Sequence, residues 1–212
     1  MATSAFFWNR LAKGYAKSPV ADEAAYRHKL DITRTYFTPD SEVMEFGCGT
    51  GTTAVAHGPF TRRIRAYDIS ENMLEIARAR AAEAGVGNVT FERGDIIDLD
   101  LPSASFDVVM GHSILHLLRP KARKAVLAKV HRLLKPGGVF VSSTVCLGEM
   151  AGAMKALAAV IRSLPLMPPV QSLSLDGLRR EITSAGLNIE HDWKPDAQPV
   201  LFAVARKPSE AA

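Results

Sequence analysis

Cysteine is scarce in this sequence. The 212 residues include two cysteines, Cys48 and Cys146, at no spacing typical of metal ligands. This excludes a framework of disulfides, and it fits a protein kept in a reducing compartment. No apolar run reaches the roughly 18 residues that a membrane-spanning helix requires. We therefore expect a cytoplasmic protein with no membrane span.

The sequence also has no strong excess of positive or negative charge. Lys and Arg number 26 against 22 Asp and Glu, so the net charge is +4 at pH 7. These basic residues are spread along the chain, whereas a nucleic-acid surface needs them clustered. No nucleic-acid partner is therefore expected. The length fits one domain, or one domain with a small cap.

The sequence does contain a glycine-rich turn after its first apolar strand. Val43–Phe46 is the strand, and glycines follow at positions 47, 49 and 51. Glycine is needed where φ is positive or where another group touches the backbone. A helix that starts at Thr52 points its free N–H groups at the same place. Glu45 beside the turn would repel a pyrophosphate, so the turn is better suited to a cationic ligand.

Apolar periodicity predicts strands that alternate with helices. The predicted strands cover residues 41–46, 64–68, 89–92, 106–110, 139–145, 187–193 and 200–206. The predicted helices cover residues 4–17, 22–37, 52–57, 70–85, 120–134, 147–164 and 175–185. This order favours a mostly parallel sheet whose ligand site lies beyond the carboxyl ends of the strands. The two helices before the first strand are expected to form a lid rather than to pack on the sheet.

Acidic residues follow the second and third predicted strands. Asp68 lies 21 positions after Gly47, where an acid accepts hydrogen bonds from a ribose diol. Asp95 is placed to accept from the amino group of an adenine, with Ile96 offering a backbone N–H and apolar contact. Met73 lies one turn into the following helix and can cover a purine. Taken singly, each also fits a structural role: Asp68 as a helix-entry residue, Met73 as core and Asp95 as a turn residue.

Five motifs in order resemble the class I S-adenosylmethionine-dependent methyltransferases. They are Glu45–Gly51, Ala66–Ser70 with Met73-Leu74 after it, Arg93–Asp95, Ser105–Val109 and Leu133–Gly138, within residues 41–145. The sequence resembles the single-domain, small-molecule branch of this family. Within that branch it is similar to methyltransferases of the ubiquinone/menaquinone-biosynthesis type.

The resemblance implies an α/β, Rossmann-like fold. It implies seven mostly parallel strands with helices on both faces, and an antiparallel last strand inserted between strands five and six. Residues 1–40 are expected to form an N-terminal helical cap or lid, and residues 41–212 the methyltransferase domain. Residues 147–173 are expected to be a substrate-side insertion, because this segment and the N-terminal helices are rich in Phe, Leu, Met and Pro. Such walls suggest a small, partly apolar substrate, bound by a monomer or homodimer.

The resemblance also assigns a set of residues to S-adenosyl-L-methionine, whose product is S-adenosyl-L-homocysteine. This set is Tyr15, Glu45, Gly47, Cys48, Gly49, Asp68, Ile69, Met73, Asp95, Ile96 and His112. His112 and His116 follow the fourth predicted strand, where substrate should enter, and are the candidate catalytic bases. A base is required only for a poorly acidic hydroxyl or a protonated amine. Each histidine also fits a packing role.

Three alternatives share parts of this pattern. A nicotinamide dehydrogenase requires a small residue three positions after the second glycine, and Thr52 stands there. A nucleic-acid methyltransferase that acts on base amino groups resembles Asn/Asp-Pro-Pro-aromatic after strand four, where this chain has Gly111–Ile114. A cofactor-binding protein without turnover fits the same residues as an enzyme.

Overall fold

Seven strands form a single sheet in the computed structural model, which describes residues 2–18, 21–149, 171–196 and 198–209. The strands are β1 (Glu42–Phe46), β2 (Arg63–Asp68), β3 (Val89–Arg93), β4 (Phe106–His112), β5 (Leu134–Val145), β6 (Asn188–Trp193) and β7 (Val200–Arg206). Their order across the sheet is β3-β2-β1-β4-β5-β7-β6. Only β7 runs antiparallel to its neighbours, β5 and β6. The predicted topology is therefore confirmed, including the insertion of the last strand.

Helices cover both faces of this sheet. They are α1 (Ala2–Lys17), α2 (Glu23–Arg34), α3 (Thr52–His57), α4 (Glu71–Glu83), α5 (Pro120–Leu133) and α6 (Leu175–Ser184), with short 3₁₀ turns at Gly58–Phe60, Leu115–Leu117 and Leu147–Glu149. One core lies under α5 and α6, and the other lies under α2, α3 and α4. Among the described residues, none of these helices has both the length and the apolarity to cross a bilayer.

Local sequence signals explain where these helices begin. The carboxylate of Asp22 accepts a hydrogen bond from the Ala25 N–H at 2.8 Å and caps α2. Ser70 and Ser174 cap α4 and α6 in the same way. Pro120 occupies the first turn of α5, where its missing N–H costs nothing.

Two strands are longer than the apolar runs predicted. β4 continues to His112, because Gly111 and His112 pair with Ser142 and Ser143 of β5. β5 begins at Leu134 rather than at residue 139, since Leu134 pairs with Phe106 before an irregularity in the register. His112 therefore ends a strand instead of lying in a connection.

The N-terminal helices differ from the expected lid. Ile32 of α2, with Tyr36 and Phe37 just after it, packs against the apolar core on one face of the sheet. The expectation that these helices do not pack on the sheet is therefore wrong for α2. α1 lies beside the start of α4, where the Asn9 side chain accepts a hydrogen bond from the Ser70 hydroxyl at 2.7 Å. Most of the predicted insertion at 147–173 lies outside the described residues.

Candidate functional site

The turn between β1 and α3 has the backbone that its glycines predict. Gly47, Gly49 and Gly51 have φ values of +64°, +53° and +73°. A β-carbon at Gly51 would lie 2.7 Å from the Cβ of Ala77, so this glycine allows α4 to pack against the turn. A β-carbon at Gly49 would meet nothing within 4 Å. Bare main chain at Gly49 therefore faces open space.

Asp68 ties this turn to the end of β2. Its carboxylate accepts hydrogen bonds from the N–H groups of Gly49 and Ser70, both at 2.9 Å. Burial raises the pKa of Asp68, while the hydrogen bonds from the backbone of Ser70, Gly49 and Ile69 oppose that rise. Asp68, which is predicted to bind the ribose, therefore also holds the turn in place.

Glu45 is a buried carboxyl without a complete set of partners. Glu45 is 2% exposed, and its Oε2 has no hydrogen-bond partner among the described residues. Burial, followed by the nearby charge of Asp68, raises its pKa to about 8. The carboxyl is therefore mostly protonated at neutral pH in the unliganded protein. A cation placed beside it would favour the carboxylate.

Glu45, Gly47 and Gly49 border a cavity of about 430 Å³. It lies between the N-terminal helices and the carboxyl ends of β1, β4 and β5. Six of the residues predicted for the site line it: Tyr15, Glu45, Gly47, Cys48, Gly49 and His112. The structure therefore brings together residues from α1, the glycine turn and β4.

The other predicted residues do not line this cavity. Asp68, Ile69, Met73, Asp95, Ile96 and His116 are the members of this second group. Met73 and Ile96 are 2% and 5% exposed, and Ile96 belongs to the core under α5. Asp95 accepts a hydrogen bond from the Ile97 N–H at 3.1 Å, which is a local turn contact. Their roles toward a cofactor stay predictions.

Several polar residues that line the cavity were not predicted from the sequence. They are Tyr26, Lys29, Thr33, Thr53, His57, Arg80 and Ser143. A signal was available for three of them, because Tyr26, Lys29 and Thr33 recur at the spacing of one helix face. Ser143 also follows the alternation of β5, which places it on the same side as Val139 and Val141. Neither pattern reveals by itself which helix covers which strand.

Two histidines of the cavity are buried and neutral. His57 is fully buried, neither ring nitrogen has a partner among the described residues, and burial lowers its pKa to about 3. His112 has an unpartnered Nε2, and burial, followed by the charge of Lys29, lowers its pKa to about 4. Such imidazoles are free to accept a proton at pH 7, but they are weak bases.

His116 lies on the 3₁₀ turn Leu115–Leu117, away from the cavity lining. Its backbone carbonyl accepts a hydrogen bond from the Gln171 N–H at 2.7 Å, and burial lowers the pKa of its imidazole to about 4. No contact in the structure tests a catalytic role for His112 or His116. Both roles remain predictions.

The fold and the glycine-turn site define a class of protein, the Rossmann-like methyltransferases. A family model described as a methyltransferase domain matches residues 43–138, which run from β1 into β5. That stretch of the chain is similar to this family. The resemblance to class I S-adenosylmethionine-dependent methyltransferases is therefore confirmed.

Individual relatives agree with this assignment. A demethylmenaquinone methyltransferase of Symbiobacterium thermophilum is 30% identical over 119 residues, which are 54% of this chain and 46% of that protein. A 27-O-demethylrifamycin SV methyltransferase of Amycolatopsis mediterranei is 31% identical over 70% of this chain and 54% of its own length. The chain thus spans about half the length of these curated relatives.

A solved structure extends the match to most of the fold. The S-adenosylmethionine-dependent methyltransferase of Mesorhizobium loti superposes with a TM-score of 0.68 at 25% identity, over 87% of this chain and 99% of that one. The shared region therefore includes elements beyond the 43–138 match.

Proposed function

We propose that this protein transfers a methyl group from S-adenosyl-L-methionine to a small, partly apolar molecule. The observation that carries the proposal is the buried carboxyl of Glu45, whose Oε2 has no partner among the described residues, beside the bare main chain of Gly49. A cofactor that brings positive charge to this place satisfies a group that is otherwise costly to bury. The residues present therefore fit this cofactor.

The family pattern suggests how the chain would hold the cofactor. Gly47 and Gly49 let its methionine part lie against the backbone, and Glu45 faces its positive charge. Asp68 accepts from the ribose. The remaining contacts are assigned to Tyr15, Cys48, Ile69, Met73, Asp95, Ile96 and His112.

When bound, the cofactor supplies a methyl group already activated by a positively charged sulfur. The protein then has to position an acceptor in line and exclude water, which can supply most of the acceleration. α1 and α2 border the cavity. His112 lies at the end of β4 and lines the cavity with an unpartnered Nε2. We propose it as the proton acceptor where a methyl acceptor requires one.

The substrate class is supported by the names of the two relatives, both of which are enzymes of small-molecule methylation. We infer that this chain likewise acts on a small molecule in the cytoplasm, as a monomer or homodimer. The spread of its basic residues argues against a nucleic-acid substrate.

Calorimetric titration with S-adenosylhomocysteine tests the cofactor site. We expect binding by the wild-type protein and a loss of about tenfold to hundredfold in affinity for Asp68→Asn, because a carboxylate accepts charge-assisted hydrogen bonds worth about 1–3 kcal/mol. Asp100→Asn is the matched control, since Asp100 is exposed and lies beyond β3. Absence of heat with the wild-type protein, or equal affinities of Asp68→Asn and Asp100→Asn, would contradict the proposal.

Turnover requires a second measurement. Release of S-adenosylhomocysteine from S-adenosylmethionine over a panel of small metabolites distinguishes an enzyme from a protein that only binds the cofactor. Tight binding of NAD without S-adenosylhomocysteine binding would favour the dehydrogenase alternative. Salt-dependent binding to RNA or DNA would favour a nucleic-acid substrate.

A further inference from the structure

One face of the sheet changes from apolar to polar at its carboxyl end. Val108 of β4 and Val141 of β5 belong to the apolar core on this face. Strand alternation places His112 and Ser143 on the same face, and these two residues are direct partners in the β4–β5 register. Both line the cavity. The polar end of this face is therefore part of the cavity wall.

Lys29 of α2 lies directly over this polar end. Its ammonium donates a hydrogen bond to the Ser143 hydroxyl at 3.1 Å, and its charge helps to lower the pKa of His112. No carboxylate lies within 4.0 Å of Lys29 among the described residues. Burial lowers the pKa of Lys29, and the more distant Asp22 opposes that effect. The ammonium therefore lacks a close counter-ion.

The charges around the cavity do not balance. Besides Lys29, the lining includes Arg80, whose guanidinium donates to the backbone carbonyl and hydroxyl of Thr50 and to the hydroxyl of Thr52. Glu45 is the single carboxyl among the described lining residues, and burial keeps it largely protonated. The positive charge of a bound cofactor would be offset by the ionised Glu45, which leaves the positive charges of Lys29 and Arg80 in excess. A second ligand with negative charge would offset it.

Lys29 is also displaced from the glycine turn. The sheet order is β1-β4-β5, so Ser143 stands two strands away from Glu45. Neighbouring strands are about 4.8 Å apart, which separates the two positions by roughly 10 Å across the sheet. The methionine part of a cofactor held against Gly47 and Gly49 would lie at β1. Lys29 faces the space beside it.

We propose that Lys29, Ser143 and His112 form the subsite for the methyl acceptor, and that this acceptor carries an acidic hydroxyl, of the phenol or enol class, which is bound as its oxyanion. This inference rests on the proposed function. The ammonium of Lys29 is the counter-ion of the oxygen, and the Ser143 hydroxyl and neutral His112 imidazole are its hydrogen-bond partners. On binding, the O–H bond breaks, its electron pair stays on oxygen and the proton leaves to solvent. O-methylation would follow: the electron pair on oxygen would form the new O–CH₃ bond as the S–CH₃ bond of the methyl donor breaks and its electron pair stays on sulfur.

4-Nitrophenol is a suitable probe because its phenolate absorbs at a longer wavelength than the neutral phenol. The probe is titrated with pH in the presence of the protein saturated with S-adenosylhomocysteine. An opposite charge within about 4–6 Å lowers the pKa of an acid by about 1–3 units. We expect the pKa of the bound probe to fall by about one unit or more. The ionisable groups that also border this space are Arg80, which is charged, and Glu45 and His57, which burial keeps largely neutral, while the more distant Asp22 acts on Lys29.

Three variants make the test specific. Lys29→Met should abolish the shift and Lys29→Arg should retain it, because the charge is what matters. Lys124→Met is the matched control, since Lys124 is an exposed lysine of α5 remote from the cavity lining, and it should behave as the wild type. Ser143→Ala should weaken probe binding with less effect on the shift.

The outcomes separate this inference from the proposed function. If S-adenosylhomocysteine binds but the probe does not, or the probe binds with its pKa unchanged, the acceptor subsite is wrong and the cofactor site stands. If Lys29→Met loses S-adenosylhomocysteine affinity, the lysine serves the cofactor or the fold and the inference is overturned. If the wild-type protein binds no S-adenosylhomocysteine, the proposed function itself fails.

Discussion

At the scale of single residues, the burial of Glu45 sets stability against the proposed function. A carboxyl that is 2% exposed costs free energy when it is ionised, yet the proposed cofactor site uses its charge when a cation binds. The raised pKa, about 8, resolves the conflict because the unliganded protein holds the carboxyl as the neutral acid. Ligand binding should therefore release a proton from Glu45 at neutral pH.

The pH dependence of stability should report on this residue. The native pKa of about 8 lies above the ordinary value of 4.5, so the native state binds more protons than the unfolded state between these values. The contribution of Glu45 to the free energy of unfolding should therefore fall as the pH rises from about 5 to 8, whereas the lowered pKa values of His57, His112 and His116 act in the opposite direction below about pH 6.5. Glu45→Gln removes the contribution of this one residue, so the difference in stability between the variant and the wild type should grow with pH, to about 4 kcal/mol in favour of the variant at pH 8, at about 1.4 kcal/mol per pKa unit.

Urea denaturation of the ligand-free protein at pH 5 and pH 8 measures this effect. Glu75→Gln is the control, because Glu75 is an exposed residue of α4. The same slope in both variants would show that another group is responsible. The Glu45→Gln protein should also bind S-adenosylhomocysteine more weakly than the Glu75→Gln protein does.

At the scale of elements, the glycines of the turn between β1 and α3 have different roles. Gly51 has a positive φ and no room for a side chain, since a β-carbon there would lie 2.8 Å from Cε1 of Phe91 on β3. Gly49 also has a positive φ, but it borders the cavity and open space. One glycine therefore serves the packing of α4 and β3, and the other keeps the cavity open.

Alanine should lower stability more at Gly51 and weaken ligand binding more at Gly49. Gly51→Ala should lower the free energy of unfolding by about 2–4 kcal/mol, because overpacking adds to a strained φ. Gly49→Ala should cost about 1–2 kcal/mol from the strained φ alone. It should nevertheless weaken S-adenosylhomocysteine binding by at least tenfold, since its methyl group would occupy the space of a ligand.

Chemical denaturation and calorimetry on the same samples check both effects. Gly87→Ala is the matched control, because its β-carbon would meet nothing within 4 Å and Gly87 is not among the glycines with positive φ. Equal losses of affinity in Gly49→Ala and Gly51→Ala, with equal stabilities, would show that the turn acts as one unit instead.

For the whole molecule, β7 joins the edge strand β6 to the rest of the sheet. It lies between β5 and β6, and Phe202 within it is fully buried in the core under α2, α3 and α4. Phe202 pairs with Ser143 of β5, the residue that binds Lys29. β7 therefore supports the part of the cavity wall that Ser143 of β5 contributes.

Phe202→Ala should therefore destabilise the protein by about 3–5 kcal/mol, as expected for a large buried aromatic side chain. Phe6→Ala is the control: Phe6 is 71% exposed on α1 and its loss should cost less than about 0.5 kcal/mol. Unfolding in guanidinium chloride compares the two variants. A small loss for Phe202→Ala would mean that the neighbouring side chains refill the space.

The elements and much of the candidate site were predictable because their signals are local. The glycines of the turn, the acid that ends β2 and the serine that caps α4 each act within a few residues of their own position. The predicted strand boundaries were wrong where hydrogen bonding to a neighbouring strand lengthened a strand, as at His112 and Leu134. These two residues belong to strands because of their partners in the sheet, and their own apolar pattern does not reveal it.

The order of residues alone determined the glycine turn, the alternation of strands and helices, and the acids at the strand ends. Only the tertiary structure decided that α2 packs on the sheet and places Lys29 against Ser143, a contact across 114 positions of the chain. It also decided that Glu45 is buried without a full set of partners. The physical reason is that backbone preferences are set by neighbouring residues, whereas burial and charge pairing depend on groups that the fold brings together from distant parts of the chain.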